Sequence, residues 1–224
     1  MALFPPRPQF NISYDWIDVA SGSGYQRFYG IKSNITGSIA YNLTNALFVT
    51  GEYNENMSTS NTDTLFLSNL NADPEINLDT NVFNLPRVIN GVPLVSIPVA
   101  VSPPDGGVDN IYCTVRLIKV TAAPAEVELT AAVTSVTIGG NESTGGTKSL
   151  LNTCITLALP NITNQIIKKG EKIRLEIIYT SDATTSYAFF NPSSSSLTMK
   201  VNDGFVTAPY TNLEVDIPFK LDFL

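Results

Sequence analysis

The chain has 224 residues, 43% of them hydrophobic and 15% charged, with a net charge of -7, two cysteines and no histidine. That length suffices for one full β-sandwich core, and the scattered 13 Lys plus Arg form none of the basic patches that nucleic-acid backbones require. The missing imidazole removes Ser-His-Asp and Cys-His catalysis and the usual zinc sites, and no run of roughly 18 apolar residues predicts a membrane span.

The opening "MALFPPRPQF" is too short, too Pro-broken and too poor in basic residues to read as a secretory signal. Its prolines favour an extended conformation, and Leu3, Phe4, Pro5, Pro6 and Phe10 have no local element to bury them. Residues 1–12 are therefore either disordered or an arm laid along a neighbouring subunit, and the docked arm is the expectation. Residues 13–75 hold short apolar pieces (YQRFYGI at 25–31, NALFVT at 45–50, TLFL at 64–67) between polar stretches. These predict short strands and loops added to the edge of a sandwich or packed on a partner.

From residue 76 the pattern is that of a β-sandwich running to 224. Strands are predicted near 79–85, 93–101, 111–121, 127–138, 153–159, 172–180, 186–190, 197–201 and 213–223, rich in Val, Ile, Thr and aromatics. Between them stand turn residues such as Pro103-Pro104-Asp105-Gly106-Gly107, Gly139-Gly140, Gly145-Gly146, Lys169-Gly170 and Asn202-Asp203-Gly204. Only 162–169 (ITNQIIKK) suggests a turn or two of helix. Eight or nine such strands predict an all-β, antiparallel jelly-roll sandwich. In the last segment Leu213, Val215, Ile217, Phe219, Leu221 and Phe223 alternate with polar residues. Pro218 should fall at a sheet edge, a bulge or a passage between sheets, because it has no N–H.

Candidate chemistry is sparse. Cys113 and Cys154 fall in predicted strands and read as two buried free thiols. Six Asn-x-Ser/Thr triplets, at Asn11, Asn34, Asn42, Asn56, Asn141 and Asn161, are expected by chance in so Asn- and Thr-rich a chain. No phosphate-binding loop is present, so no cofactor is expected. Asp105 to Asn110 has acidic oxygens beside glycines but not the ligand spacing of a calcium loop. Asp15 and Asp18 beside Trp16, or Asp182 near Tyr187, are the acid pairs that a glycosidase would need, and turn chemistry explains them more simply.

Four stretches carry a resemblance: "GSGYQRFYGI" (22–31), "FNLPRVINGVPLVSIPVAV" (83–101), "KKGEKIRLEIIY" running on to "FFNP" (168–192), and the closing "VDIPFKLDFL". Together they resemble jelly-roll structural proteins of tailed-bacteriophage virions, especially head decoration or cement proteins. Where similar proteins carry His and Asp before the proline of the third stretch, this chain has Phe190 and Asn191. The resemblance implies a non-enzymatic virion protein, made in the host cytoplasm, that binds the major capsid protein or other virion proteins and self-associates as a homo-oligomer, with a trimer expected. Two alternatives remain: a tail-fibre, baseplate or surface module that binds carbohydrate through exposed aromatics such as Trp16, Tyr25, Tyr53 or Tyr210, and a glycan depolymerase with paired acids.

Overall fold

The computed structural model describes residues 12–13, 23–35, 38–45, 75–102, 109–140, 151–181, 185–188, 198–201, 204–207 and 213–220. Among these the chain is all-β, without helix: β1 (Ile12–Ser13), β2 (Ser23–Ile35), β3 (Ser38–Thr44), β4 (Glu75–Thr80), β5 (Arg87–Gly91), β6 (Leu94–Ser102), β7 (Asp109–Val120), β8 (Glu126–Glu128), β9 (Val133–Thr134), β10 (Ile138–Gly140), β11 (Leu151–Ala158), β12 (Ile162–Ile167), β13 (Lys172–Ser181), β14 (Thr185–Ala188), β15 (Thr198–Val201), β16 (Gly204–Thr207) and β17 (Glu214–Lys220). All but the β15–β16 hairpin join one sheet, whose main path runs β10-β7-β13-β4-β3-β2-β17-β5-β12. The sheet is mixed because β3 and β4 run parallel, over Asn42↔Asp79 and Leu43↔Thr80 only.

The sheet curls into a half-barrel. Lys119 of β7 donates from Nζ to the carbonyl of Ile166 in β12, 3.3 Å away, so strands far apart along the path meet in space. Inside the curl, Cys113, Val115 and Leu117 of β7 and Ile173, Leu175, Ile177 and Tyr179 of β13 belong to one buried cluster with Ile89, Val95, Ile97, Ile155, Ile162 and Ile167. Alternation produces this directly, since odd-numbered residues of β7 and β13 share one face at matched register, Leu117 opposite Leu175 and Val115 opposite Ile177. Each such buried aliphatic side chain contributes roughly 1.5–3 kcal/mol relative to exposure.

β17 is the spine of the other limb. It pairs with β2 along its whole length, from Glu214↔Tyr29 to Lys220↔Ser23. On its opposite edge it pairs first with β6, at Glu214 to Asp216, and then with β5, at Phe219. Pro218 stands at the handover, where a missing N–H costs no ladder bond. The handover follows from a bend in the ribbon made by β5–β6 and β11–β12. Gly91 takes a φ of +133°, and a Cβ there would lie 2.9 Å from Cβ of Pro218, so glycine is required both for conformation and for space. The N–H of Leu159 donates to the carbonyl of Pro93 at 2.9 Å, and the hydroxyl of Tyr25 to that of Val92 at 3.1 Å. The Phe219 ring lies between Phe28 and Phe83, at centroid distances of 6.5 and 6.0 Å.

Four expectations are corrected. Residues 162–167 form a strand, not helix: one extra residue bulges between Ile162 and Gln165 opposite Gly91 and Ile89, with Asn164 at a φ of 46°. The bulge shifts the parity, so Ile162 and Ile167 both face inward while Ile166 is 51% exposed. Residues 127–138 are three short strands rather than one, because side-chain hydroxyls interrupt the ladder: Leu117 N–H donates to Thr130 Oγ1 at 2.9 Å and Cys113 N–H to Ser135 Oγ at 3.1 Å. The strand expected at 79–85 begins earlier and stops at Thr80. Beyond it Phe83 turns inward, donating to the carbonyl of Glu171 at 2.9 Å and accepting from the N–H of Gly170 at 2.8 Å. Finally, 23–44 is not an edge addition: β2 has 13 residues, lies between β3 and β17, and buries Phe28, Tyr29 and Ile31. The parts of the expected strands at 189–190, 197 and 221–223 lie outside the described residues.

Candidate functional site

On the convex face of β4, β13, β7 and β8, register places opposite charges side by side. Arg174, opposite Asp79, holds its carboxylate with two hydrogen bonds, Nε to Oδ1 at 2.6 Å and Nη2 to Oδ2 at 3.0 Å. It also reaches Glu126. Lys172 Nζ meets the same Asp79 at 2.8 Å. One pair further along, Arg116 grips Glu176 at 2.5 and 3.0 Å, with Glu128 at 3.9 Å. Burial pushes the Asp79 carboxyl up, but the hydrogen bonds from Arg174 and Lys172 outweigh it and hold the group below the ordinary carboxylate range.

The other limb carries a second cluster. Arg27 of β2 donates to Asp216 of β17 at 2.8 and 2.9 Å and meets Glu214 at 3.1 Å. Burial raises the Glu214 carboxyl above its usual value, against the pull of Arg27. Glu75 accepts from the Asn77 amide and Glu171 from the N–H of Lys168. Every carboxylate whose side chain is described is thus already partnered. Both thiols are free: burial pushes Cys113 up to about 12 and raises Cys154 as well, away from the thiolate form that nucleophilic chemistry uses. Cys113 is buried as expected, whereas Cys154 on β11 is only half-buried. The fully buried Tyr179 hydroxyl has no hydrogen-bond partner among the described residues.

An open cleft of about 640 Å³ lies where the short parallel pairing of β3 and β4 ends, lined by Tyr41, Asn42, Asp79, Thr80, Asn81, Val82, Asn84 and Lys172. Its floor is fixed by the Asp79–Lys172–Arg174 contacts and by the hydrogen bond from the N–H of Ile173 to Thr80 Oγ1, 3.0 Å long. Its wall, the segment after β4, is pinned through Phe83. Burial raises the Tyr41 phenol above its ordinary value.

Of the cleft residues only Asn42 was singled out from sequence, as part of an Asn-x-Ser/Thr triplet expected by chance. The parallel β3–β4 contact brings together positions 37 residues apart, and no local pattern announces it. Of the residues singled out from sequence, Leu3, Phe4, Pro5, Pro6 and Phe10, as well as Asp15, Trp16, Asp18, Tyr53, Asp182 and Tyr210, lie outside the described residues. So does Asp105 to Val108, while Asp109 and Asn110 begin β7 and Tyr187 lies in β14. Tyr25 is half-buried, with its hydroxyl on the ribbon bend, which is a packing role. Among the described residues no group of His, Cys, Asp and Glu is arranged to hold a metal ion, and no helix is long and apolar enough to cross a membrane.

No protein-family model and no curated protein matches the chain. Among solved structures, similarity extends to a CocE/NonD family hydrolase (SACOL2612) from Staphylococcus aureus, with a TM-score of 0.44, 10% identity and coverage of 86% of this chain and 41% of that one. An aminopeptidase from a marine sediment archaeon, Thaumarchaeota archaeon, gives a TM-score of 0.40 at 11% identity, over 88% of this chain and 33% of that one. An alpha-amino acid ester hydrolase gives 0.33 at 18% identity, over 65% and 24%. This chain therefore spans about two fifths or less of the proteins it is similar to, and likeness at this level assigns it no activity.

Proposed function

We propose that the chain is a non-enzymatic structural protein of a tailed-phage virion, a head decoration or cement subunit with a jelly-roll type of sandwich, which self-associates and stabilises the capsid by binding its outer surface. The observation that carries the reading is the use of the ionic groups. Arg27, Arg116, Lys172 and Arg174 are committed to cross-strand carboxylates, so these four side chains tie neighbouring strands together. A subunit that must hold its shape under load needs such a sheet, and assembly needs surface complementarity rather than tuned pKa values. The four sequence stretches that resemble decoration proteins support it independently. Three of them supply the bent ribbon, β13 and the spine strand β17.

In this reading the arm, with Leu3, Phe4, Pro5, Pro6 and Phe10, is the segment that reaches a neighbour. Co-sedimentation of the purified full chain with capsids made without it tests the proposal. The full chain should pellet with capsids, and a chain lacking residues 2–10 should bind far more weakly while melting at the same temperature. Absence of capsid binding by the full chain overturns the reading, and equal binding by the shortened chain removes the role given to the arm.

A further inference from the structure

We infer that the β3–β4 cleft is a binding site for a neutral polyhydroxylated ligand, a sugar ring of a glycan. Asn42, Asn81 and Asn84 are exposed, and among the described residues no hydrogen bond holds their side-chain amides. Each amide offers a donor and an acceptor in one plane, which is what a pair of vicinal hydroxyls, each donor and acceptor, requires.

Charge then selects among polar ligands. Asp79 and Lys172 face the cleft as a pair 2.8 Å apart, and Arg174 behind Asp79 is balanced by Glu126. These two acids and two bases leave the site without net charge, so a phosphate, sulfate or sialic acid gains nothing from entering. The Asp79 carboxylate, held ionised, accepts three hydrogen bonds from Arg174 and Lys172 and keeps one lone pair, on Oδ1, for a ligand hydroxyl. The side chain of Val82, 53% exposed, supplies the apolar surface on which the C–H face of a sugar packs, while the Tyr41 ring packs against the core beneath. The volume of about 640 Å³ falls in the range of roughly 300–1,000 Å³ usual for small-molecule sites.

The walls are preorganised, which lowers the entropy cost of binding. Asp79 has both its oxygens fixed by Arg174. Asn84 and Val82 flank Phe83, whose backbone is hydrogen-bonded in both directions to the turn before β13. This inference goes beyond the structural role proposed above and does not depend on it. A cement protein with or without a glycan site binds its capsid equally.

The test applies the purified full chain to an array of neutral hexose and N-acetylhexosamine oligosaccharides beside sialylated and sulfated ones, followed by calorimetric titration of the strongest neutral binder. The variants are Asn42→Ala and Asn84→Ala in the cleft and Gln165→Ala on β12 as control; all three positions are exposed, so folding is not at stake. The expected result is retention of at least one neutral glycan, weakened about fivefold or more by either cleft variant, the loss of one net hydrogen bond, and unchanged by the control and by added salt. Retention of no neutral glycan, equal affinity in the cleft variants, or binding confined to anionic glycans and abolished by salt would overturn it.

Discussion

Gly30 offers the sharpest check on how the C-terminal segment is built into the core. Its N–H donates to the carbonyl of Leu213 at 2.8 Å, and it stands opposite Leu43 in the β2–β3 pairing. A Cβ at this position would lie 2.6 Å from Cδ2 of Leu213, 3.1 Å from its Cβ and 3.1 Å from Cδ2 of Leu78. Leu213 and Leu78 are fully buried, so neither has space to retreat into. Gly30→Ala should therefore cost about 1–3 kcal/mol by overpacking, less roughly 0.4–1 kcal/mol recovered from the stiffer unfolded chain. Leu213→Ala alone should cost about 2–5 kcal/mol. In the double variant the closest offending atom is gone, and only the two contacts at 3.1 Å remain. The pair should thus be less damaging than the sum by about 1 kcal/mol or more. Equilibrium urea denaturation of the four proteins, followed by far-ultraviolet circular dichroism, measures the cycle. Additivity within about 0.5 kcal/mol, or a neutral Gly30→Ala, would refute the packing of this lead-in beneath β2.

Removal of residues 217–224 takes away Ile217 and Phe219, both buried, and frees Ser23 to Gln26 of β2 from their partner. Against a total stability of about 5–15 kcal/mol that loss should abolish cooperative thermal unfolding, and a soluble truncation with a sharp melt would contradict the role of β17. Asp79→Asn tests the ionic face by pH. A carboxyl held below its unfolded value of about 3.9 contributes stability that is complete above that value and is lost as pH falls through the folded one. The variant should melt lower at neutral pH and show a flatter decline in acid, whereas an unchanged acid decline would show that Arg174 and Lys172 do not hold Asp79. Glu214, raised rather than lowered, contributes with the opposite sign, so the comparison must be made at position 79 itself. Tyr179→Phe removes a buried hydroxyl without a partner among the described residues and so relieves a desolvation cost of about 1–3 kcal/mol. The melting temperature should rise, by roughly 2–4 °C for each kcal/mol in a chain of this size, and a fall would mean that the hydroxyl is satisfied.

Much of the fold was legible where one residue type has one physical consequence. The alternation of Val215, Ile217 and Phe219 announced a core strand, and the missing N–H of Pro218 pointed to a sheet edge, a bulge or a passage between sheets; it stands where β17 passes from β6 to β5 within one sheet. Those inferences need only the period of a strand and a missing N–H. The helix expected at 162–169 failed because a bulge at Asn164 reversed the inward face, and periodicity assumes that no residue is inserted. The break in 127–138 depends on Thr130 and Ser135 satisfying the backbone of β7, a contact that no local propensity encodes. The centrality of β2 was hidden for a similar reason: YQRFYGI looks short until β17, almost 200 residues later, is known to lie beside it. The cleft is least legible of all, since it depends on two residue pairs between β3 and β4 and on asparagines that are ordinary in an Asn-rich chain.

The central claim, that this is a lattice-binding subunit of a virion head, is tested most directly by quantitative mass spectrometry of purified particles, with the major capsid protein as internal standard. The account predicts that the chain is present at a copy number that scales with the capsid lattice and that it leaves the particle when the head is stripped of its outer layer. Absence from the particle, or a few copies that stay with the tail, would contradict it.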